Sequence, residues 1–315
     1  PNAPILLRNL GNIFVDQGAF AQAAEFFRQS LNNRPDSGET WHNFAFTLAR
    51  SRNLSHAIQA TWEAESHGVD RETMLQTVGN WLLANEKGSE AVAFFAEALQ
   101  IDEAKRGHLF GMAMALIQAE RQNDAETFLD KVLEVSAEDV PALIQKAQIA
   151  LGRHQMTAAR GYIDRGLARN AHVPALRVSL ASVLFHEDDL AGAERECWHA
   201  LKINPNVPGA YGMLAQIARS RGHFEASKHY AEKVIELAPQ KGGALNNYYA
   251  SKKDISEDDD VASVLQRLEQ QETTSKRDLA AYYYTLGELF HKLKSPERAI
   301  FFLKAANDFR RIGLK

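Results

Sequence analysis

The stretch LLRNLGNIFVDQGAFAQAAEFFRQSLNNRP, residues 6–35, sets the pattern for most of the chain. Its apolar residues recur at intervals of three and four, which is the spacing of an amphipathic helix. Pro35 closes the stretch, and Pro205 and Pro239 close later copies of it, because proline cannot continue a helix. The stretch therefore predicts a unit of two helices that ends at its last residue.

The same order of residue types returns every 34 residues. Seven frames follow one another without insertion or deletion, and they begin at Pro4, Gly38, Glu72, Arg106, Val140, Pro174 and Pro208. The eighth position of each frame is glycine or alanine, and the twentieth is alanine or, once, serine. A larger side chain there would hold two helices apart, so these positions are predicted to be helix crossings. Large residues at the fourth, seventh and twenty-fourth positions, such as Leu10 at the seventh, are predicted to fill the space between the helices.

Composition limits the class of protein. Only 9 prolines and 19 glycines occur in 315 residues, and β-branched alternation is absent, which favours an all-α chain. The net charge of −4 provides no field that would attract nucleic acid or an anionic membrane. Cys197 stands alone, which fits a reducing compartment, and no apolar run is long enough for a membrane span. The chain is therefore predicted to be soluble and cytoplasmic, with no nucleic-acid or membrane partner.

These residues at this spacing resemble the tetratricopeptide repeat family, whose 34-residue helix-turn-helix unit has small and large residues at the same positions. The resemblance implies a right-handed α-α superhelix of about nine stacked repeats, in which each repeat packs on its neighbours. Residues 1–241 would form seven regular repeats, residues 242–279 a degenerate repeat with an insertion, and residues 280–315 a final repeat. Arg177, Lys146 and Thr61 depart from the pattern and are expected to weaken single interfaces.

The acidic run at residues 257–260 has two interpretations. It could bind a cation, but Ser256 followed by Asp259 fits a capping box at the start of a helix, where acidic residues are favoured. One short run also offers too few separated ligands for a metal. We therefore expect a helix cap.

The last 70 or so residues resemble the region that precedes the catalytic domain in bacterial proteins that join tetratricopeptide repeats to a sulfotransferase. The matching residues are Ala305, Ala306, Asn307, Arg310 and Arg311. The resemblance implies a sulfotransferase domain in the same protein, beyond Lys315. No phosphosulfate-binding loop is found within the chain itself, which is therefore predicted to be non-catalytic.

Other chemistry finds little support in the sequence. His223 and His229 are six residues apart and do not share a helix face, so they are expected to be solvent-facing or packed side chains. Cys197 occupies a packing position and is expected to be a structural thiol. The four tryptophans are predicted to lie in the core, and they are Trp41, Trp62, Trp81 and Trp198. No cofactor or metal is predicted.

The inner face of the superhelix is the predicted binding surface, because packing within a repeat does not use it. Its first part is polar and its middle part is apolar, and asparagine and glutamine side chains can both donate to and accept from a peptide backbone. The candidate peptide-binding residues are Arg8, Asn9, Asn12, Asn43, Asn80, Phe110, Met114, Ile144, Gln145, Val178, Phe185 and Asn247.

Two known devices are matched in part. Arg8, Asn12 and Asn43 resemble three places of the carboxylate clamp of chaperone-binding family members, but Thr73 and Thr77 stand where that clamp has basic residues. Asn9, Asn43 and Asn247 resemble an incomplete form of the asparagine ladder of O-GlcNAc transferase, which bonds a peptide backbone.

The sequence thus predicts a non-catalytic scaffold that binds a protein or peptide and forms the recognition part of a larger protein. The alternatives are the substrate-recognition arm of a sulfotransferase and an assembly factor for an envelope or pilus machine. The uncapped end of the array could also pair with a second copy of the chain.

Overall fold

The computed structural model describes residues 3–239, 243–252, 254–269 and 276–312, and every regular element in these ranges is a helix. The all-α prediction is therefore confirmed for the described residues. The helices are α1 (Ala3–Asp16), α2 (Phe20–Asn33), α3 (Gly38–Arg50), α4 (Leu54–Ser66), α5 (Arg71–Ala84), α6 (Gly88–Ile101), α7 (Arg106–Gln118), α8 (Gln122–Val135), α9 (Val140–Gly152), α10 (Met156–Arg169), α11 (Pro174–His186), α12 (Leu190–Ile203), α13 (Pro208–Ser220), α14 (Phe224–Leu237), α15 (Gly243–Ser251), α16 (Ala262–Glu269), α17 (Lys276–Lys292) and α18 (Pro296–Ile312).

The helices form two compact units, residues 1–142 and residues 143–315. In the first unit α1 packs on α2, α2 on α3, α3 on α4, and so on to α8. In the second unit α11 packs on α12, α13 on α14, and α17 on α18, while α15 lies against α14 and α17. Stacking between sequence neighbours, as expected for a helical repeat protein, is thus present in each unit. The predicted boundaries at residues 241 and 279 stay predictions, and residue 241 lies outside the described residues.

The small residues at the eighth and twentieth frame positions lie at helix crossings, as predicted. All fourteen of them are buried. A Cβ atom added at Gly11 would lie only 2.5 Å from the ring of Phe27, and one at Gly79 would lie 2.9 Å from the ring of Phe95. The backbone of the first helix in each pair therefore rests directly on an aromatic side chain of the second.

A left-handed residue joins the two helices of each pair. It is the fifteenth residue of its frame, and its φ lies between 57° and 76°, a region that glycine adopts without a steric cost. Only two of these positions hold glycine, and the full set is Gly18, Arg52, Glu86, Glu120, His154, Asp188, Gly222 and Lys294. The position marks the end of the first helix, where a left-handed residue commonly closes a helix.

Replacing Gly222 with alanine is expected to destabilise the protein by about 1 kcal/mol, because alanine is strained at its φ of 76°. Gly161 provides a matched control, since it lies inside α10 with nothing within 4 Å of an added Cβ. Gly161→Ala should stabilise the protein by roughly 0.5–1 kcal/mol, because alanine favours a helix. Urea denaturation of the two variants measures both effects, and shifts of the same sign would contradict this account.

Two packing predictions need correction. Leu10 was expected to fill space between helices, but 40% of it is exposed. The equivalent residue of the next frame, Phe44, is buried, and it belongs to α3, on which the preceding helix α2 packs. Among the described residues no helix precedes α1, so Leu10 has no such cover.

The cap at Ser256 is confirmed, but a different carboxylate completes it. Ser256 Oγ accepts a hydrogen bond from the Asp259 backbone N at 3.2 Å, as predicted. The reciprocal bond runs from the Ser256 backbone N to Asp260 Oδ2 at 2.8 Å. Residues Glu257–Val261 form a π-helical turn, which is one residue wider than an α-helical turn and so brings Asp260 back to Ser256. Asp260 also accepts from Lys252 Nζ at 2.6 Å.

Candidate functional site

The predicted peptide-binding residues belong to both units. Arg8, Asn9, Asn12, Asn43, Asn80, Phe110 and Met114 lie in the first unit, and Ile144, Gln145, Val178, Phe185 and Asn247 lie in the second. The two sets are therefore two separate surfaces for the purpose of describing their contacts.

The polar residues of α1 and α3 contact each other directly. Asn43 Nδ2 donates to Asn12 Oδ1 at 2.9 Å, and both residues are half-buried. This bond leaves Asn12 Nδ2 to donate and Asn43 Oδ1 to accept, which is the pair of groups that a peptide unit of a partner would need. Asn9 is exposed one turn before Asn12, and Asn80 is exposed on α5.

The charge that the carboxylate clamp requires is compensated within the chain. Arg8 forms an ion pair with Glu39 on α3, and only 22% of its side chain is exposed. Thr73 donates its hydroxyl to Asp70, and this bond holds the pKa of that carboxyl below its usual value. The cation that resembles part of a clamp is thus already paired, and a threonine beside it is bonded to a carboxylate.

An aromatic cluster that the sequence reasoning missed lies beside these amides. The ring of Phe46 meets the ring of Trp81 edge-on at 5.6 Å, and His42 lies 6.0 Å from Trp81. The Arg50 guanidinium lies 5.8 Å from the Phe46 ring, and its Nη1 donates to Asn85 Oδ1 at 2.7 Å. Trp81 was predicted to be core, yet it is only half-buried. Phe46 shares the ninth frame position with Asn12 and Asn80, and this register could have found it.

The apolar candidates on α7 are partly covered by a cation. Phe110 and Met114 are half-buried, and the Arg106 guanidinium lies 4.8 Å from the centre of the Phe110 ring. Arg106 is held there by two hydrogen bonds to Asp139, at 2.8 and 3.0 Å. Phe110 is thus an aromatic surface beside a fixed ion pair.

In the second unit the candidates divide into accessible and buried residues. Ile144, Gln145, Val178 and Phe185 are half-buried, and the Phe185 ring lies 6.0 Å from His186. Asn247 is only 8% exposed, so the structure does not place its side chain on an open surface. The reason is local, because α15 packs on both α14 and α17 and leaves little of its surface open.

The other residues with chemical potential have mostly structural roles. Cys197 is fully buried, and this burial raises the pKa of its thiol to about 12. His223 and His229 are exposed, as predicted. Trp41 is buried, but Trp62 is 54% exposed and Trp198 is 45% exposed, so the prediction of a core position was wrong for both. Both occupy the twenty-fifth frame position, where Trp62 covers Arg71 and Trp198 meets Tyr230 edge-on.

A search of the described residues for metal sites and membrane spans was negative. Within those ranges no group of three or more histidine, cysteine, aspartate or glutamate side chains could hold a metal ion. Across the same part of the chain, no helix has the length and apolar character needed to cross a membrane.

Solved structures share this arrangement of helices. A tetratricopeptide repeat protein from Parabacteroides merdae superposes with a TM-score of 0.56 over 80% of this chain and 99% of its own, at 16% sequence identity. Human IFIT1, solved as a dimer with PPP-AAAA, superposes with a TM-score of 0.64 over 99% of this chain and 83% of its own, at 14% identity. At such low identity the likeness shows the fold alone.

Family models point to the same repeat. Three of them, each described as a tetratricopeptide repeat, match residues 6–39, residues 144–208, and residues 208–241 together with residues 280–311. The matched ranges together span just over half of the chain, and they fall on helix pairs of the structure. The chain therefore belongs to the tetratricopeptide repeat family.

Proposed function

We propose that the chain is a non-catalytic scaffold that binds an extended peptide segment of a partner protein on one face of its first unit. This α1/α3/α5 face consists of Arg8, Asn12, Asn43, Phe46, Arg50, Asn80 and Trp81. The observation that carries the proposal is the Asn12–Asn43 pair, which bridges α1 and α3 at 2.9 Å with a donor and an acceptor left over. Tetratricopeptide repeats generally mediate protein interactions, which agrees with this assignment.

The neighbouring side chains suit an extended peptide. Amides can bond its backbone, while Phe46 and Trp81 offer an aromatic edge for an apolar side chain. Arg50 bonds a neutral amide, Asn85, so that bond leaves its positive charge uncompensated. The face therefore favours a peptide with an apolar residue close to an acidic one.

The proposal is tested by selecting peptides from a random phage-displayed library on the full chain and measuring the best of them by calorimetry. Asn43→Ala should weaken binding by roughly tenfold, because it removes one hydrogen bond to the peptide and frees Asn12 to reorient. Asn33→Ala is the matched control, since Asn33 is exposed on α2 and bonds only the Gln29 carbonyl of its own helix. Equal binding by both variants would place the peptide site elsewhere.

The apolar candidates Phe110, Met114, Ile144, Val178 and Phe185, together with Gln145, remain proposed extensions of peptide binding in their own units. The role as recognition arm of a sulfotransferase and the role as envelope or pilus assembly factor remain predictions. Of the residues that suggested a sulfotransferase, Arg310 and Arg311 have side chains outside the description. The gene sequence beyond Lys315 tests the first role: a phosphosulfate-binding domain would support it, and a stop codon would contradict it.

A further inference from the structure

A cleft of about 580 Å³ opens between α2 and α4 in the first unit. Its floor is apolar and is made by Trp41, Phe44 and Leu48 of α3, all of them buried. Its walls carry Arg28 from α2 and Glu63 from α4. A cavity of this volume is within the range of sites that bind small molecules or side chains. None of these residues belongs to the α1/α3/α5 face.

The cleft exists because one aromatic residue of the repeat is missing. The twenty-third frame position is aromatic in most repeats, with Phe26, Phe94, Phe128, Tyr162, Tyr230 and Phe302, but it is Ala60 in α4. In the next repeat Phe94 is fully buried. In the second unit Tyr230 reaches the preceding second helix and meets Trp198 at 6.3 Å. Ala60 is too short to span the gap between α4 and α2, so the space of a ring stays open.

A cation is missing from the same place. At the next interface Arg71 is only 4% exposed and lies 3.5 Å from the centre of the Trp62 ring. Its guanidinium donates to Glu97 at 2.5 Å and to Thr61 Oγ1 at 3.3 Å. One repeat earlier the residue at the position of Arg71 is Ser37, which caps α3 instead.

The carboxylate for that cation is nevertheless present. Glu63 occupies the frame position of Glu97 and lines the cleft. Its side chain accepts a hydrogen bond from the neutral amide of Gln59 at 3.0 Å. Carboxylates bind a guanidinium with two parallel charge-assisted hydrogen bonds, which is the interaction that the next repeat provides for itself.

We infer that the α2/α4 cleft is a second protein-binding site, which takes an aromatic side chain and a neighbouring arginine of a partner. The partner's ring would fill the space that Ala60 leaves, over Trp41 and beside the Arg28 guanidinium. Its arginine would pair with Glu63 as Arg71 pairs with Glu97 in the next repeat. The partner thus supplies the two groups with which the chain closes its own second interface.

The test titrates the isotope-labelled full chain with N-acetyl-phenylalanyl-arginine amide and follows the Ala60 methyl group and the Trp41 indole N–H by NMR. The Trp41 indole donates to the Pro35 carbonyl at 2.7 Å, so it is a fixed reporter. We expect saturable shifts with a Kd of about 0.1–1 mM. The glycyl-arginine analogue should give no saturable shift, and the phenylalanyl-glutamate analogue should bind at least fivefold more weakly. The absence of a saturable shift with the first probe would overturn the inference.

Ala60→Phe should fill the cleft. It is expected to abolish probe binding and to raise the Tm by about 2–4 °C, as cavity-filling substitutions do. Unchanged probe binding by this variant would overturn the inference. Should the variant fail to fold, Glu63→Lys takes its place, because it should reverse the preference toward the phenylalanyl-glutamate probe. A variant that keeps the arginine preference would equally overturn it.

Two further measurements separate this site from its alternatives. Asn43→Ala, which tests the α1/α3/α5 face, should leave probe binding unchanged, so the two sites can fail independently. A dilution series without probe should leave the Ala60 and Trp41 signals in place. Shifts with protein concentration alone would show that a second copy of the chain fills the cleft, and the assignment to a partner protein would then be wrong.

Discussion

Replacing Phe95 with alanine is expected to destabilise the protein by about 3–5 kcal/mol, as truncation of a buried aromatic residue does. Phe95 is fully buried in α6, at the twenty-fourth frame position. Its ring lies against two glycines, because a Cβ added at Gly79 would be 2.9 Å from it and one at Gly111 would be 2.2 Å from it. Neither glycine has a side chain that could move into the space, so the cavity would persist and the full cost should appear.

Phe301→Ala is the control for this substitution. Phe301 lies on α18 and is 65% exposed, so its removal should change the free energy of unfolding by about 0.5 kcal/mol or less. Urea denaturation of the full chain, followed by circular dichroism, measures both variants. A Phe95→Ala cost below about 1 kcal/mol would mean that α5 and α7 close onto α6 after truncation, and that the small residues are not there to seat this ring.

The sequence was sufficient for the helices and their crossings. A period of 34 residues places residues of one size at one position, and the volume available at a helix crossing depends on the backbone alone. Gly11 and Gly79 could therefore be assigned to crossings without coordinates, and an aromatic ring does lie against each. The frames also indicated where each second helix stops before Pro35, Pro205 and Pro239.

Contacts between different frame positions could not be predicted in this way. Thr61 was expected to weaken an interface because it replaces an apolar residue. In the structure its hydroxyl accepts a hydrogen bond from Arg71, which Trp62 covers and Glu97 neutralises. Periodicity reports the size of a residue at each position, but it carries no information on which two positions bond each other. For the same reason Trp62 was wrongly assigned to the core.

The candidate site shows the same limit. The sequence selected Asn12 and Asn43 by their frame positions, and the structure shows that they bond each other. Asn247 was selected by the same register but is buried, because α15 is a nine-residue helix packed on two neighbours. Phe46 and Trp81 were missed, since an aromatic residue in a repeat was taken as core by default.

Arg71→Ala is expected to destabilise the protein by about 2–3 kcal/mol. The substitution removes hydrogen bonds from a charged group, each worth up to about 3 kcal/mol, and a stacking contact worth about 0.5–2 kcal/mol. It also leaves the Glu97 carboxylate without its cation. The Glu97 side chain is 24% exposed and can regain some water, so the cost should stay below that of breaking a fully buried ion pair, which is roughly 3–5 kcal/mol.

Arg71→Met separates the two contributions, because methionine keeps the apolar contact with Trp62 but cannot pair with Glu97. About half of the alanine cost should remain in this variant. Arg121→Ala is the control, since Arg121 pairs with Asp124 on the surface, where such pairs contribute about 0–1 kcal/mol. In about 1 M salt the small Arg121 effect should vanish while the Arg71 effect persists, because salt screens exposed charges far more than buried ones. Equal loss of both effects in salt would show that Arg71 acts as an ordinary surface charge, and would remove the internal template on which the partner's arginine in the α2/α4 cleft is based.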